Sequence, residues 1–240
     1  MTISTPYWID THDQDLTFPD VSLALTEPDG LLAIGGDLSP KRLLTAYSNG
    51  IFPWYNAEEP ILWWSPNPRS VLFPHQLKIS RSLRKTRAKT TCTITIDAAF
   101  NEVINACGAT RKDQPGTWIT PDMYSAYCKM HELGYAHSVE CWFENQLVGG
   151  LYGIAIGQVF FGESMFSRKT DSSKLAFAHL VDKLKEWDFK LIDCQVKTAH
   201  LTSLGAENLP REQFINLLHQ WCSTLPHPTA WSTSTLEIGQ

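Results

Sequence analysis

Polar and apolar residues alternate over 91–96 (Thr-Cys-Thr-Ile-Thr-Ile), the period of a half-buried strand. Asp97 follows as a cap for a helix carrying Phe100, Val103 and Ile104. Thr120-Pro121 opens and Gly134 closes a second helix over 121–133. Strands are then predicted over 136–143, 146–155 and 158–162, joined by the turn-length pairs Glu144-Asn145 and Ile156-Gly157. Phe177, Leu180, Val181 and Leu184 fall at i, i+3, i+4 and i+7, which predicts a helix over 173–187. A buried-type strand over 190–196 and a last helix over 210–222 follow. The first 68 residues read differently. Seven prolines and four glycines punctuate residues 18–69, too often for long regular elements. One short helix is expected there, with Ser39 as N-cap, Pro40 at N1 and Asn49-Gly50 as its stop. The pattern predicts an α+β protein: a small irregular N-terminal domain over 1–68 and a mixed, largely antiparallel sheet domain over 69–240.

Composition permits a packed core, with 43% hydrophobic and 19% charged residues among 240. The formal net charge of −5 hides a segregation. Between Pro60 and Ile96 there is no Asp or Glu, but there are seven bases: Arg69, Lys78, Arg81, Arg84, Lys85, Arg87 and Lys89. That strip carries +7 against the whole-chain −5, so the remainder carries −12. An acidic body with one basic strip fits a polyanion handled at one place. The N-terminus lacks the basic and apolar regions of a secretory signal, and no apolar stretch approaches the ~18 residues of a membrane span. The six cysteines are scattered with no C-x-x-C pair, which argues against structural zinc and for a reducing, cytoplasmic setting.

Three clusters carry candidate chemistry. Phe52, Trp54, Tyr55, Trp63 and Trp64 lie within thirteen residues, either as the core of a small domain or as a stacking platform for nucleobases. Gly149, Gly150 and Gly153 mark a bulge or a close approach within a strand. Asp193 and Gln195 stand two apart in Leu-Ile-Asp-Cys-Gln-Val, on one face by strand period, with Glu163 near the end of another strand. Such groups in apolar strands either pair structurally or form a pocket that binds an amine and moves a proton. The order of elements points to an acyl-CoA N-acyltransferase type of sheet. The stretch from Ser167 to Ser173, however, lacks the glycines of a diphosphate cradle. Three readings stand on the residues: an acyltransferase using aminoacyl-tRNA as donor, one using acyl-CoA, and a non-catalytic RNA-binding module.

Several motifs carry a resemblance. Gly30-Leu-Leu-Ala-Ile-Gly-Gly-Asp-Leu-Ser-Pro40, Gly50-Ile-Phe-Pro-Trp-Tyr55 and Leu62-Trp-Trp-Ser-Pro-Asn-Pro-Arg69 are similar to leucyl/phenylalanyl-tRNA–protein transferases. So are Gly116-Thr-Trp-Ile-Thr120, Gly149-Gly150, Gly162-Glu-Ser-Met-Phe-Ser167, Leu191-Ile-Asp-Cys-Gln-Val196 and His200-Leu-Thr-Ser-Leu-Gly-Ala206. The likeness runs in order from about residue 18 to residue 215. It implies a bacterial cytoplasmic enzyme with a small N-terminal domain and an acetyltransferase-like (GNAT-type) mixed-sheet C-terminal domain. Its activity would move Leu or Phe, less readily Met, from aminoacyl-tRNA onto a protein with N-terminal Arg or Lys. The product would be marked for an ATP-dependent Clp protease. No cofactor or metal is implied.

By the same resemblance Asp193, Gln195 and Glu163 are catalytic. Tyr47, Trp54, Trp118, Leu151, Met165, Phe177, Leu180 and Leu184 would receive the aminoacyl-adenosine end. The basic strip (Lys78, Arg81, Arg84, Lys85 and Arg87) would hold tRNA phosphates. Asp193 is expected to take the proton of the attacking amine, Gln195 to orient the amine or ester, and Glu163 to bind the cationic acceptor. Some relatives carry Met at Leu151 and Phe at Leu180 and Leu184, which implies a pocket of somewhat different shape, and Met165 with the Leu180/Leu184 face is expected to set its depth. Asn67 replaces a common Asp without chemical consequence.

Overall fold

The computed structural model describes residues 5–12, 15–109 and 119–232, with the backbone alone over 236–238. In chain order the elements are β1 (Tyr7–Ile9), β2 (Leu31–Gly35), α1 (Pro40–Ser48), β3 (Phe52–Pro53), β4 (Leu62–Trp64), β5 (Arg69–Leu72) and α2 (Arg81–Lys89). Then come β6 (Cys92–Ile96), α3 (Phe100–Gly108), α4 (Pro121–Glu132), β7 (Ala136–Phe143), β8 (Gln146–Ile156), β9 (Val159–Ser167) and α5 (Ser172–Glu186). The chain continues through β10 (Leu191–Asp193), α6 (Ala199–Ser203), β11 (Glu207–Leu209), α7 (Arg211–Trp221) and β12 (Leu236–Ile238). The helices start where their caps dictate: Ser39, Ser80, Thr120 and Thr198 each accept a backbone N–H from their first turn.

Among the described residues the strands form two sheets. A small one runs β1-β2-β4-β3, and a large one runs β11-β5-β10-β9-β8-β7-β6-β12. Sheet membership changes between Trp64 and Arg69, across the prolines that precede Arg69. The large sheet is antiparallel except for β9 and β10, which run parallel. Alternate residues feed two cores. Val71, Phe161 and Leu191 face α1, α3, α4, α7 and the N-terminal sheet, while Leu72, Phe160 and Ile192 face α2 and α5.

Two local features position the site. Strand β10 stops at Asp193, while its parallel neighbour β9 continues to Ser167. A gap therefore opens beside the second half of β9. In β9 itself Gly153 pairs Gly162 and Tyr152 pairs Ser164, so Glu163 is an extra residue, a β-bulge. Bulges re-aim side chains beside functional sites. The glycine pair Gly149-Gly150 serves packing. A Cβ at Gly149 would collide with Ser172 at the start of α5, and one at Gly150 with the Val139 carbonyl. No helix among the described residues is long and apolar enough to cross a membrane.

Candidate active site

The gap beside β9 holds a cavity of about 300 Å³. Leu151, Phe160, Met165, Phe177, Ile192 and Leu201 give it an apolar wall. Glu163, Asp193, Gln195 and His200 border its polar side. A second cavity of about 230 Å³ lies next to it, lined by Phe52, Pro53 and Trp54 together with Glu163, Gln195 and Val196. Glu163, Gln195 and Val196 therefore stand on the partition between an apolar chamber and an aromatic one.

Glu163 is held by two tyrosines. The Tyr47 hydroxyl donates to Oε1 at 2.7 Å and the Tyr127 hydroxyl to Oε2 at 2.9 Å. The two hydroxyls also meet each other. Tyr47 comes from α1 and Tyr127 from α4, so the N-terminal segment builds part of the site. Burial pushes the Glu163 carboxyl up to about 7, against the tyrosine hydrogen bonds, which favour the anion. Burial first and the Glu163 charge second raise both tyrosines well above their usual range, so they remain hydroxyl donors.

Asp193 is bound differently. Its side chain is fully buried, and Arg69 grips both oxygens: Nε donates to Oδ1 at 2.8 Å and an Nη to Oδ2 at 2.7 Å. Arg69 also donates to the Gly50 carbonyl at 3.0 Å. Its guanidinium lies 4.7 Å from the Phe52 ring centroid and 4.8 Å from that of Phe214. The pair is thus a bidentate, aromatic-sandwiched ion pair, the geometry that suits Arg and not Lys. The free lone pairs of Asp193 hold Gln195, whose backbone N–H donates to Oδ1 at 3.0 Å and whose side-chain amide donates to Oδ2 at 3.4 Å.

Strand period alone predicts Asp193 and Gln195 on one face of a strand running to residue 196. The strand instead ends at Asp193, and Gln195 sits in the left-handed region at φ 54°. The two remain neighbours because Asp193 caps the turn that carries Gln195, not because of alternation.

The other expected residues separate. Leu151, Met165 and Phe177 line the apolar cavity, and Trp54, half exposed, lines the aromatic one. Tyr47 stands behind Glu163 and lines neither. Leu180 and Leu184 are both fully buried in the core between α5 and the sheet, and neither is among the residues lining the cavity. The apolar stripe of α5 packs on the sheet over most of its length, and of the stripe residues only Phe177 reaches the gap. Trp118 lies outside the described residues. Of the basic strip, Lys78, Arg81, Arg84 and Lys85 are exposed, the last three on α2. Arg87 is half-buried and pairs with Asp182 of α5 at 2.7 Å, which makes it an internal tie. The aromatic cluster divides too: Trp63, Phe52 and Tyr55 are core, while Trp54 and Trp64 pack together at 5.9 Å nearer the surface.

Two contributors carry weak sequence signals. Tyr127 gives none beyond its place on an apolar helix face. Arg69 does give one: a lone base opening the apolar strand Arg-Ser-Val-Leu must find a buried anion, and Asp193 opens the same question from the other side.

Comparison with known proteins settles the family. Residues 71–219 match the family model described as "Leucyl/phenylalanyl-tRNA protein transferase", and residues 36–67 match that of its N-terminal domain. The chain belongs to the leucyl/phenylalanyl-tRNA–protein transferase family. A transferase of this name from Nitrosomonas europaea is 60% identical over 206 residues, covering 86% of this chain and 87% of that one. Another from Hydrogenovibrio crunogenus is 54% identical over 237 residues, covering 98% and 91%. Among solved structures, a GCN5-related N-acetyltransferase from Kribbella flavida overlaps 72% of this chain and 61% of its own at 14% identity and a TM-score of 0.37. Family membership makes it an aminoacyltransferase, and its own sheets and helices form a mixed α+β fold.

Proposed function

We propose that this transferase moves Leu or Phe, and less readily Met, from aminoacyl-tRNA onto the N-terminal Arg or Lys of a protein in the cytoplasm, marking that protein for degradation. The observation that carries the reading is the pair of cavities sharing Glu163 and Gln195. Transfer between two substrates needs both held with their reacting atoms together, and two chambers meeting at one partition offer that. The apolar chamber suits an unbranched-at-Cβ side chain such as Leu, Phe or Met. The aromatic chamber, with a carboxylate on its wall, suits a cationic N-terminal residue or the terminal adenosine.

The ester linking amino acid to tRNA is already activated, so the protein has to position, deprotonate and stabilise. The acceptor α-amine, with a usual pKa of ~7.7–8.0, attacks as the free base. The amine nitrogen bonds to the ester carbonyl carbon, and the tetrahedral intermediate expels the ribose oxygen, which takes up a proton. A carboxyl near 7 is matched to accept a proton from that amine at neutral pH, and Glu163 has that value on the shared wall. Asp193, whose oxygens are occupied by Arg69 and Gln195, acts in this reading as the anchor that fixes Gln195. The Gln195 amide then orients the ester or its developing oxyanion. Exposed Arg81, Arg84 and Lys85, with Lys78 close by, supply the phosphate contacts that bring the tRNA end to the cavities.

The test is incubation with radiolabelled Leu-tRNA and a peptide beginning with Arg. Label should pass to the peptide, fail to pass to the same peptide acetylated at its N-terminus, and pass poorly from Ile-tRNA. Transfer from acyl-CoA instead, or tRNA binding without any product, overturns the reading.

A further inference from the structure

The chain beyond α7 returns across the sheet. The Gln158 side-chain amide donates to the Leu225 carbonyl at 3.4 Å, and the His227 N–H donates to the Trp187 carbonyl at 3.0 Å. This packs Trp231, partly buried, against the core on the α5 side, at φ 61°. A bulky residue persists in that region only where its surroundings hold it there. Four side chains do so. The His137 ring stacks on the indole at 3.9 Å and 7°, and Phe160 stacks at 5.7 Å and 29°. Trp187 and Phe189 close the edges at 5.0 Å and 5.8 Å. His137 is itself fixed by Asp97, Nδ1 to Oδ2 at 2.8 Å. The indole Nε1 is buried and has no hydrogen-bond partner among the described residues. A buried indole N–H usually finds one. The ring is therefore held by its faces and edges alone.

What Trp231 touches gives this a consequence. Phe160 is a wall of the apolar cavity, whereas Trp231 does not border it. The Phe160 ring also lies close to Gly153, where a Cβ would collide with it. The position of that wall thus depends on the missing side chain of Gly153 and on the indole. We infer that Trp231 is a positioning residue for substrate selection: it holds Phe160 and so sets the size of the chamber that receives the aminoacyl side chain. The inference rests on the reading of the apolar cavity as that chamber. Without the indole, Phe160 has room to retreat, the chamber enlarges, and the larger aminoacyl group gains.

The full-length protein is assayed in a competition of Phe-tRNA against Leu-tRNA for one Arg-N-terminal peptide, well below the melting temperature of each variant. Trp231→Ala should shift the product ratio toward Phe by about tenfold, the scale on which one methylene discriminates in an apolar pocket. Trp231→Phe, which keeps a stacking ring and sacrifices no hydrogen bond, should restore the wild-type ratio. In a Phe160→Leu background, Trp231→Ala should add no further shift, because its effect runs through Phe160. Met165→Ala, a change in the cavity wall itself, is the control. If Met165→Ala moves the ratio and Trp231→Ala does not, the inference is overturned and the cavity reading stands. If neither moves it, the cavity reading falls and the inference with it. A Trp231 effect undiminished in the Phe160→Leu background also overturns it. Should Trp231→Ala fail to accumulate as folded protein, Trp231→Leu takes its place, and an unchanged ratio there is equally decisive.

Discussion

Arg69 places a full positive charge in the interior at 1% exposure, and its partner Asp193 is at 0%. Removing one member of such a pair leaves a buried charge uncompensated, at about 3–5 kcal/mol. Arg69→Lys keeps the charge and escapes that full cost, yet it should lower the melting temperature and reduce kcat, because an ammonium cannot make the two-pronged contact or lie between Phe52 and Phe214. Thermal melts alongside single-turnover rates check this; wild-type values in both would show that charge alone suffices. Glu163 invites a different test. Its carboxyl stands near 7 in the native protein, against ~4.3 in an unfolded chain. The native state thus holds the proton more tightly. The resulting stabilisation is complete below about pH 4.3 and is lost as pH rises through 7. Urea melts from pH 5 to pH 8 should show the wild type losing stability across this window and Glu163→Gln losing less. The same variant should transfer ~10²–10⁴-fold more slowly, with the rise in rate around pH 7 removed. A Glu163→Gln enzyme within tenfold of wild type removes Glu163 as proton acceptor.

At the scale of elements, the site depends on one strand stopping and its neighbour continuing. Strand β10 ends where Asp193 turns back to cap Gln195, and β9 bulges at Glu163. Helix α5 contributes Phe177 to the cavity and packs Leu180 and Leu184 on the sheet. Sequence resemblance makes those leucines pocket residues, and their stripe spacing fits a core equally well, because periodicity reports which side of a helix is buried and not what it is buried against. Their burial changes the expected result of enlarging them. Leu180→Phe with Leu184→Phe should overpack the core, costing about 1–3 kcal/mol for each side chain, and leave the Leu-to-Phe product ratio nearly unchanged. Denaturant melts and the competition assay distinguish this from a pocket role, which would move the ratio.

For the whole molecule, charge segregation is the governing feature. The exposed bases of α2 stand on a body that is otherwise acidic, so a polyanion is drawn to one place. Reversing the charges of Arg81, Arg84 and Lys85 together should weaken tRNA binding without altering which aminoacyl group is preferred, since phosphate contacts position and do not read. The slope of log affinity against log salt should flatten by about 0.7–0.9 for each tRNA phosphate that the variant no longer neutralises. Binding titrations at two salt concentrations measure both, and a triple variant indistinguishable from wild type would make the strip a solvated face. Arg87 is left out of the set because its guanidinium ties α2 to Asp182 on α5.

Local signals determined much of this protein. Caps, prolines and hydrophobic periods placed the helices from Ser39, Thr120 and the 173–187 stripe within a residue or two, because those signals act over a single turn of chain. The clustering of bases over 78–89 needed only composition. Motifs marked Asp193, Gln195 and Glu163 as residues of interest. Tertiary structure alone decided how they are related. Arg69 reaches Asp193 across 124 positions and Tyr47 reaches Glu163 across 116, and no periodicity spans such separations. The same holds for the early end of β10, where a side-chain cap on the Gln195 turn outweighed the strand propensity of the apolar run. Which carboxylate meets a cation, and which is buried with only hydroxyl donors around it, followed from where the fold places those distant residues. That division is electrostatic, and it exists only once the chain has brought the charges together.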